Sequence, residues 1–477
     1  MKTFKKIAVS VLVGALGFAS TGCGVGSDAS VNGDINIMVY SAGYGFGWLE
    51  EAIRIYEEDH PGVKIGYDGD SLAFETVKTK LDNGTCEYDI VLADSGYYDQ
   101  FVANGALTSL DDVYDSLIPD SDKKVGDVVN AQIKNAATIG GHIYGIPWQQ
   151  NTGSGLVYNV EMFRQYGWDE NLPTTMDELW ELCERIDTDT NGRVAPITYG
   201  GSDGNGYLNY NLPQWLCEYY GYDEMIEFLK ADSLECFSKQ EAGRTKVYET
   251  LAELTKGEMK SGRPRCLKGS EGALAITAQT NFVNGEAAMT ICGPWLPTEM
   301  KPYTDLTHFE CGYLPMPHIN ADKMNGDHTI NTSDVRFSTD GNYMAIPGTS
   351  KNIDLAKDFL LYMFTEKSYT SFVKANNGLI RPLQGIDVDT SEFDGFTKAA
   401  YRYFSNGGEA KTVYQVSPNR VFEKGTLAIF QAYRGSFFSV IMNKTNYSDA
   451  IAAAKGCFAN EIGVLAAKWD AEKQSWN

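Results

Sequence analysis

Three short apolar runs decide the fold: INIMVY at residues 35–40, VKIGY at 63–67 and YDIVLAD at 88–94. Each run is too short for a helix and carries β-branched residues, so each predicts a buried strand. The segments between them, 48–56 and 74–81, repeat apolar residues at helical spacing and predict amphipathic helices. This strand–helix–strand–helix–strand order predicts an α/β fold with a parallel sheet covered by helices.

The same pattern predicts where a ligand binds. In open α/β sheets, ligands lie beyond the carboxyl ends of the strands. Residues 41–47 follow the first predicted strand and residues 94–97 follow the third. We therefore expect both segments to border a binding crevice.

Further elements follow from residue 148 onward. Thr175 to Glu178 has the spacing of a capping box and predicts a helix start. Residues 287–291 predict a strand, and 355–373 predict one long helix that ends at Asn376-Asn377-Gly378, a left-handed C-terminal signal.

The N-terminus has the order of a secretory signal. Lysines at 2, 5 and 6 precede an apolar stretch, 7–19, and Ser-Thr-Gly-Cys follows at 20–23, which gives the charged, apolar and small-residue regions in turn. The last part resembles a bacterial lipobox, with Ser20 where Leu is usual. We expect residues 1–22 to be a lipoprotein signal peptide, Cys23 to carry the lipid, and the small polar residues 23–33 to form a flexible tether. An ordinary signal peptide cut nearby is the alternative.

Composition excludes several classes of function. The net charge of −23 repels phosphate backbones, so we expect no nucleic acid partner. The sequence contains no P-loop and no H-E-x-x-H, and no spacing favours a pair of catalytic carboxylates. We therefore expect a protein without catalytic activity.

One partial metal motif is present. Asp187, Asp189, Asn191 and Gly192 copy the first half of an EF-hand loop, but Thr198 stands where the bidentate Glu belongs. Calcium is the one cofactor that the sequence suggests. The alternative is an Asx-rich turn between a helix and a strand. The eight cysteines after Cys23 show no metal spacing, and both free thiols and disulfides remain open.

Three clusters combine aromatic rings with amide side chains. Sugars present apolar C–H faces and a rim of hydroxyls, so their sites need stacking rings together with Asn, Gln or Asp. The alternative for any single ring is a place in the core. The clusters are Trp148, Gln149 and Asn151 within 144–159, Asn209 and Trp215 within 208–220, and Trp295 within 291–296.

Several motifs together resemble those of bacterial extracellular solute-binding proteins, family 1, of the carbohydrate-uptake type, which are related in fold to maltose-binding protein. The motifs are YGIPW and GLVYN within 144–159, PTTMDEL at 173–179, GEAAMTICGPW at 285–295 and GNYMAIP at 341–347. The resemblance implies a two-lobe periplasmic-binding-protein-like fold of type II, each lobe a sheet flanked by helices, with a hinge that the chain crosses more than once. We expect residues 34–146 and 327–385 in lobe one, and 147–326 and 386–477 in lobe two.

The resemblance also implies ligand-binding residues. Trp295 matches the family's stacking aromatic after Gly-Pro, and Asp94 and Ser95 match the polar loop after the third strand. Residues 148–152, with Trp148, Gln149 and Asn151, match the segment where the hinge meets the cleft. Tyr44 lies where the family places sugar contacts after the first strand, and Tyr433 is the aromatic expected from the helix at 423–438.

The sequence thus predicts a monomeric, lipid-anchored receptor on the extracellular face of the cell membrane. It would bind a sugar or oligosaccharide between its lobes and deliver it to the permease of an ABC transporter. The rival hypothesis is an enzyme on the same scaffold, since thiamine-degrading transferases look like this fold and use a cleft cysteine. Cys292 is the candidate nucleophile, although the hinge segment 147–152 contains no cysteine.

Overall fold

A computed structural model describes most of the chain. The described residues are 34–41, 43–152, 154–202, 207–230, 233–303, 309–319, 335–339, 342–405, 411–414, 441, 443–444 and 446–474. The predicted signal peptide, Cys23, the tether and Tyr433 lie outside them, as do the side chains of Ser95, Asn151 and Asn209.

The described chain forms both strands and helices. The strands are β1 Ile35–Tyr40, β2 Ile65–Asp70, β3 Ile90–Ala93, β4 Thr138–Ile139, β5 His142–Ile143, β6 Gly145–Pro147, β7 Asn151–Thr152, β8 Gly155–Asn159, β9 Ala195–Thr198, β10 Ala287–Cys292, β11 Cys311–Pro315, β12 Val335–Thr339, β13 Tyr343–Ala345 and β14 Lys411–Tyr414. The helices are α1 Gly47–Asp59, α2 Ala73–Asp82, α3 Tyr98–Ala103, α4 Asp111–Asp115, α5 Val125–Val128, α6 Ala131–Ala137, α7 Val160–Tyr166, α8 Met176–Thr190, α9 Asn211–Tyr220, α10 Tyr222–Lys230, α11 Leu234–Ser238, α12 Glu241–Lys256, α13 Ala275–Val283, α14 Leu296–Met300, α15 Ile353–Tyr362, α16 Glu366–Ala375, α17 Gly395–Phe404 and α18 Tyr447–Gln474. Short 3-10 turns cover Ser95–Tyr97, Leu208–Tyr210 and Ser270–Gly272.

The first sheet has the order β2-β1-β3-β13-β6. Strand β1 pairs in parallel with β2 and β3, whereas β13 runs antiparallel to both β3 and β6. The predicted βαβαβ unit is therefore confirmed. It forms because α1 and α2 each bury one apolar face, with Trp48 and Ile53 on α1 and Val77 and Leu81 on α2.

The second sheet has the order β11-β8-β10-β9. Strand β10 pairs in parallel with β9 and antiparallel to β8, and α8 and α13 pack against this sheet. Helix α8 begins where the sequence predicts, because Thr175 and Glu178 form a capping box. The two sheets, each flanked by helices, confirm the predicted two-lobe α/β fold.

The chain passes between the sheets more than once. It leaves the first sheet after β6, forms β8 in the second, returns from β11 to β13, and α17 then packs against β11. A small third sheet, β14-β12-β7, lies along the first crossing. Val335 and Phe337 of β12 pack against residues of the second sheet, and the lobe boundary at residue 327 stays a prediction.

One helix prediction is wrong. Residues 355–373 form two helices, α15 and α16, because the Thr365 side chain accepts a hydrogen bond from the Ser368 N–H and caps a new helix start. The end of α16 lies where predicted, with Asn377 at φ 52° and Gly378 at φ 97°.

None of the described helices is both long and apolar enough to span a membrane.

Candidate functional site

A cavity of about 250 Å³ opens where the two sheets face each other. Elements of the first sheet supply one wall: the end of β1, the loop after it, the segment after β6 and the start of β13. The turn before α9 and the segment after β10 supply the other wall. The described residues that line the cavity are Tyr40, Gly43, Tyr44, Trp148, Gln149, Tyr207, Tyr210, Trp295, Glu299 and Asn342.

Tyr44 stands between two tryptophans that come from opposite walls. Its ring meets Trp148 edge-on, with centroids 6.0 Å apart, and Trp295 at 5.7 Å and 73°. Burial, with nearby Tyr210 and Tyr207, raises the pKa of Tyr44 well above its ordinary value. Its hydroxyl therefore stays protonated and can both donate and accept a hydrogen bond.

Trp295 depends on two glycines for its position. A Cβ at Gly293 would come 2.0 Å from the Trp295 ring, and one at Gly43 would come 3.2 Å from it. Glycine at 293 therefore lets the indole lie directly against the backbone. Tyr207 meets the same indole at 4.9 Å and 65°, so the ring is enclosed on several sides and only 7% exposed.

The backbone of Trp148 is fully hydrogen-bonded, whereas its indole Nε1 is a buried donor without a partner among the described residues. Its backbone N–H donates to the Asn342 carbonyl at 2.9 Å, and its carbonyl accepts from Arg381 Nε at 3.2 Å. Its indole Nε1, however, finds no hydrogen-bond partner among the described residues. Leaving a buried donor without a hydrogen-bond partner costs about 1–3 kcal/mol of free energy.

Glu299 brings a carboxylate into this aromatic setting. It accepts hydrogen bonds from the Tyr207 hydroxyl at 3.2 Å and from Gln279 Nε2 at 2.6 Å. Burial raises the pKa of Tyr207, so its phenol remains a donor. Tyr207 also has a left-handed backbone, with φ 62°, and such local strain is often found at binding sites.

Sequence reasoning missed several lining residues. Tyr40 is the last residue of β1, where the strand-end rule could have found it. Glu299 lies four residues after Trp295, one helical turn along α14, and this spacing is a usable signal. Tyr207 and Asn342 have no local signal of comparable strength.

Four predicted ligand-binding residues line the cavity, and others lie elsewhere. Tyr44, Trp148, Gln149 and Trp295 come together. Trp215 does not: it is fully buried in the second core and donates from Nε1 to the Pro317 carbonyl at 3.1 Å. It is a core residue because α9 is buried along its whole length.

Asp94 also lies outside the cavity lining. Its carboxylate accepts from the Gly96 N–H at 2.7 Å and so shapes the turn after β3. Ser95 begins the 3-10 turn there, Asn151 lies in β7 and Asn209 lies in the 3-10 turn before α9.

The predicted calcium ligands have other partners. Asp187 pairs with Arg263 at 2.6 Å, and the hydrogen bond from Arg263 lowers the pKa of this carboxyl. Asp189 accepts from Trp168 Nε1 at 2.9 Å, and Asn191 ends α8 in the left-handed conformation. Asp187 and Asp189 lie within the last turn of α8, which ends at Asn191, and calcium binding at this segment stays a prediction. Across the described ranges no group of three or more His, Cys, Asp or Glu could hold a metal.

Cys292 does not have the surroundings of a nucleophile. It is fully buried beneath the cavity, and burial raises its pKa well above the ordinary value. A reactive cysteine needs the opposite shift, so the enzyme hypothesis finds no support here. All eight described cysteines are free thiols.

The fold defines a class, the two-lobed α/β proteins, and here a cavity lined by aromatic rings from both sheets lies between the lobes. The sequence profile of the bacterial extracellular solute-binding proteins matches residues 44–370. The chain belongs to this family.

Relatives agree with that assignment. An uncharacterised ABC transporter extracellular-binding protein of Pyrococcus horikoshii is 21% identical over 379 residues, which span 78% of this chain and 76% of that one. The solute receptor AcbH, described as having an exclusive preference for β-D-galactopyranose, superposes with a TM-score of 0.62 at 18% identity and covers 89% of this chain and 98% of its own. RafE in complex with raffinose has a TM-score of 0.57 at 18% identity, with 90% and 99% covered. Maltose-bound MalE3 of T. maritima has a TM-score of 0.57 at 16% identity, with 89% and 99% covered.

Proposed function

We propose that this protein is a receptor that binds a sugar or short oligosaccharide between its two lobes. The observation that carries the proposal is the pairing of Trp148 and Trp295 around Tyr44, with Gln149 and Glu299 in the same cavity. Rings stack on the C–H faces of a pyranose, and the amide and carboxylate groups bond its hydroxyls.

Polar groups of the cavity would form hydrogen bonds with the sugar. The Trp148 Nε1–H donates to a sugar oxygen, which satisfies a buried donor. Glu299, held by Tyr207 and Gln279, accepts from a pair of hydroxyls. Because water is excluded from such a cavity, these hydrogen bonds gain strength when the lobes close around the ligand.

We further propose that the receptor is anchored through Cys23 on the extracellular face of the membrane and delivers its sugar to an ABC transporter permease without chemical change. The lipobox-like Ser-Thr-Gly-Cys at 20–23 supports the anchor. The name of the Pyrococcus relative, an ABC transporter extracellular-binding protein, supports the transport role. The sugars held by RafE and MalE3 support the ligand class.

A panel of sugars tests the proposal. We would measure melting temperature and isothermal titration with galactose, glucose, maltose, raffinose and chitin oligosaccharides. At least one should raise the melting temperature and give a saturable heat, and Trp295→Ala should abolish both.

Trp180→Ala is the matched control, because Trp180 lies outside the cavity and packs on Arg265 at 4.5 Å; this variant should bind as the wild type does. The proposal fails if no sugar on the panel binds, or if Trp295→Ala binds as tightly as Trp180→Ala.

A further inference from the structure

Helix α16 of the first lobe ends next to the segment that carries Trp295 on the second lobe. Phe372 and Val373 of α16 are buried in the first core, and the helix packs against α1. Asn377 follows the helix with a left-handed backbone, φ 52°. Asparagine is one of the few residues with a side chain that adopt this conformation readily. The Asn377 amide is therefore attached to the end of a packed helix.

The Asn377 amide reaches across to the second lobe. Its Nδ2 donates to the Pro294 carbonyl at 2.9 Å and to Thr298 Oγ1 at 3.1 Å. An amide nitrogen carries two hydrogens, so it can make both bonds at once. Because a carbonyl oxygen only accepts, the contact with Pro294 also fixes the nitrogen side of the amide toward the second lobe. We call these two hydrogen bonds the inter-lobe bridge.

The bridge ends on residues that flank Trp295. Pro294 directly precedes the tryptophan in the turn after β10, and Thr298 lies in α14, which directly follows it. The described lining of the cavity includes Trp295 but neither Asn377 nor Thr298. The bridge therefore holds the segment of this indole from outside the cavity.

The loop after β1 contacts the same segment. A Cβ at Gly43 would lie 3.2 Å from the Trp295 ring, and a Cβ at Gly45 would lie 3.5 Å from Thr298 Cγ2. Two separate parts of the first lobe thus touch the start of α14. All of these contacts join protein atoms, so they stabilise the approach of the two lobes whatever the cavity holds.

We propose that the inter-lobe bridge makes Asn377 a positioning residue, which keeps Trp295 against the first lobe and thereby slows the release of a bound sugar. The inference rests on the proposed function and adds to it a residue that acts on affinity through Trp295 without touching the ligand. A ligand enclosed between two lobes leaves when they separate, and separation breaks the bridge. One hydrogen bond changes an equilibrium constant by about two- to tenfold, so loss of the bridge should be measurable in the release rate.

The test variant is Asn377→Gly. Glycine adopts the left-handed conformation without strain, so this variant keeps the backbone and removes the amide. With whichever of galactose, glucose, maltose and raffinose the wild type binds, dissociation should be about three- to tenfold faster and association should not be slower. Stopped-flow tryptophan fluorescence measures both rates.

Asn83→Gly is the matched control for the loss of an asparagine at a helix end. Asn83 follows α2, and its amide donates to the Thr79 carbonyl of its own helix at 2.8 Å. This variant should leave both rates unchanged.

The other end of the bridge gives a second test. Thr298→Val removes the hydroxyl acceptor and should speed dissociation, whereas Thr298→Ser keeps the hydroxyl and should release the sugar at the wild-type rate. In the Asn377→Gly background, Thr298→Val should add nothing further, because the partner of the hydroxyl is already gone. Independent effects on folding would instead add.

Small-angle X-ray scattering tests the bridge on the protein without sugar. Asn377→Gly should have a larger radius of gyration than the wild type, because the separated arrangement of the lobes becomes more populated. Asn83→Gly should match the wild type.

The outcomes separate the two proposals. If the wild type binds none of the four sugars, the proposed function fails, and the scattering comparison alone decides on the bridge: equal radii disprove it. If a sugar binds, the bridge is disproved when Asn377→Gly releases it at the wild-type rate, or when Thr298→Val and Thr298→Ser release it equally fast.

Discussion

Trp148 joins the ligand cavity to the hinge through a buried arginine. Arg381 is 1% exposed and donates to the carbonyls of Trp148 and Met363, at 3.2 and 2.7 Å. Its guanidinium lies 4.1 Å from the centre of the Phe372 ring. Burial lowers the pKa of Arg381 to about 9, so the side chain is still charged at neutral pH. Among the described residues, no carboxylate contributes to this shift of the Arg381 pKa.

Replacing this arginine with lysine should destabilise the protein. Lysine is a point donor and cannot bridge two carbonyls with a planar fork, so Arg381→Lys should lower the free energy of unfolding by about 2 kcal/mol. Urea denaturation without ligand measures this value. Arg54→Lys, on the exposed face of α1, serves as control and should stay within about 0.5 kcal/mol of the wild type; equal losses in both variants would contradict the role of Arg381.

The indole N–H of Trp148 should matter for affinity more than for stability. Trp148→Phe keeps an aromatic ring but removes the unpartnered donor together with part of the indole, so it should weaken sugar binding by about three- to tenfold. Isothermal titration measures the loss, with Trp180→Phe as the control. Unchanged affinity in Trp148→Phe would mean that the ligand does not accept from Nε1.

At the scale of elements, the ion pair between Asp187 of α8 and Arg263 in the loop after α12 should make stability depend on pH. Asp187 has a lowered pKa because Arg263 donates to it. A carboxyl whose pKa is lower in the folded state contributes stability above its unfolded pKa, near 3.9, and loses it as pH falls through the folded pKa.

We therefore expect Asp187→Asn to be less stable than the wild type at pH 7, and the difference to shrink steadily below about pH 4. Urea denaturation at several pH values follows the difference. Asp189→Asn is the comparison variant, because the wild-type Asp189 carboxylate accepts a hydrogen bond from the neutral indole of Trp168. A difference for Asp187→Asn that is constant from pH 7 to pH 3 would contradict the ion pair.

The turn after β10 sets the position of Trp295. A Cβ at residue 293 would lie 2.0 Å from the indole, so Gly293→Ala should displace the ring. We expect this variant to bind sugar more than about tenfold more weakly and to lose about 1–3 kcal/mol of the free energy of unfolding. Calorimetric titration and denaturation give the two values. Gly272→Ala is the control, because a Cβ added at Gly272 meets no atom within 4 Å; it should change neither the affinity nor the stability. Wild-type affinity in Gly293→Ala would show that the indole position is unimportant.

The elements were more predictable from sequence than the site. Local periodicity and capping determine β1, α1 and the start of α8, and those predictions hold. The break at Thr365 was missed because the apolar spacing continues across it, although threonine is a residue type that often caps a helix start.

The residues of the site also differ in whether a local sequence pattern or a long-range contact determines their position. Trp295 follows a Gly-Pro turn and could be assigned from its neighbours in sequence. The contact of Tyr207 with Glu299 spans 92 residues and depends on how two elements meet, which no local pattern encodes. Trp215 was misassigned because a tryptophan beside amides looks the same in sequence whether its helix is at a cleft or, like α9, wholly buried.

At the scale of the whole molecule, we propose that a sugar lies between the two lobes and contacts both. Tyr44 and Trp148 belong to the wall from the first sheet, and Trp295 and Glu299 to the wall from the second. A ligand that touches both walls favours the closed arrangement by its differential affinity for that state.

The most direct test is a crystal structure of the protein with the sugar that raises its melting temperature most. We predict one pyranose ring in the cavity in contact with aromatic rings of both walls, an acceptor oxygen within hydrogen-bond distance of Trp148 Nε1, and a hydroxyl on Glu299. A sugar bound outside this cavity, or one that contacts residues of a single lobe, would contradict it.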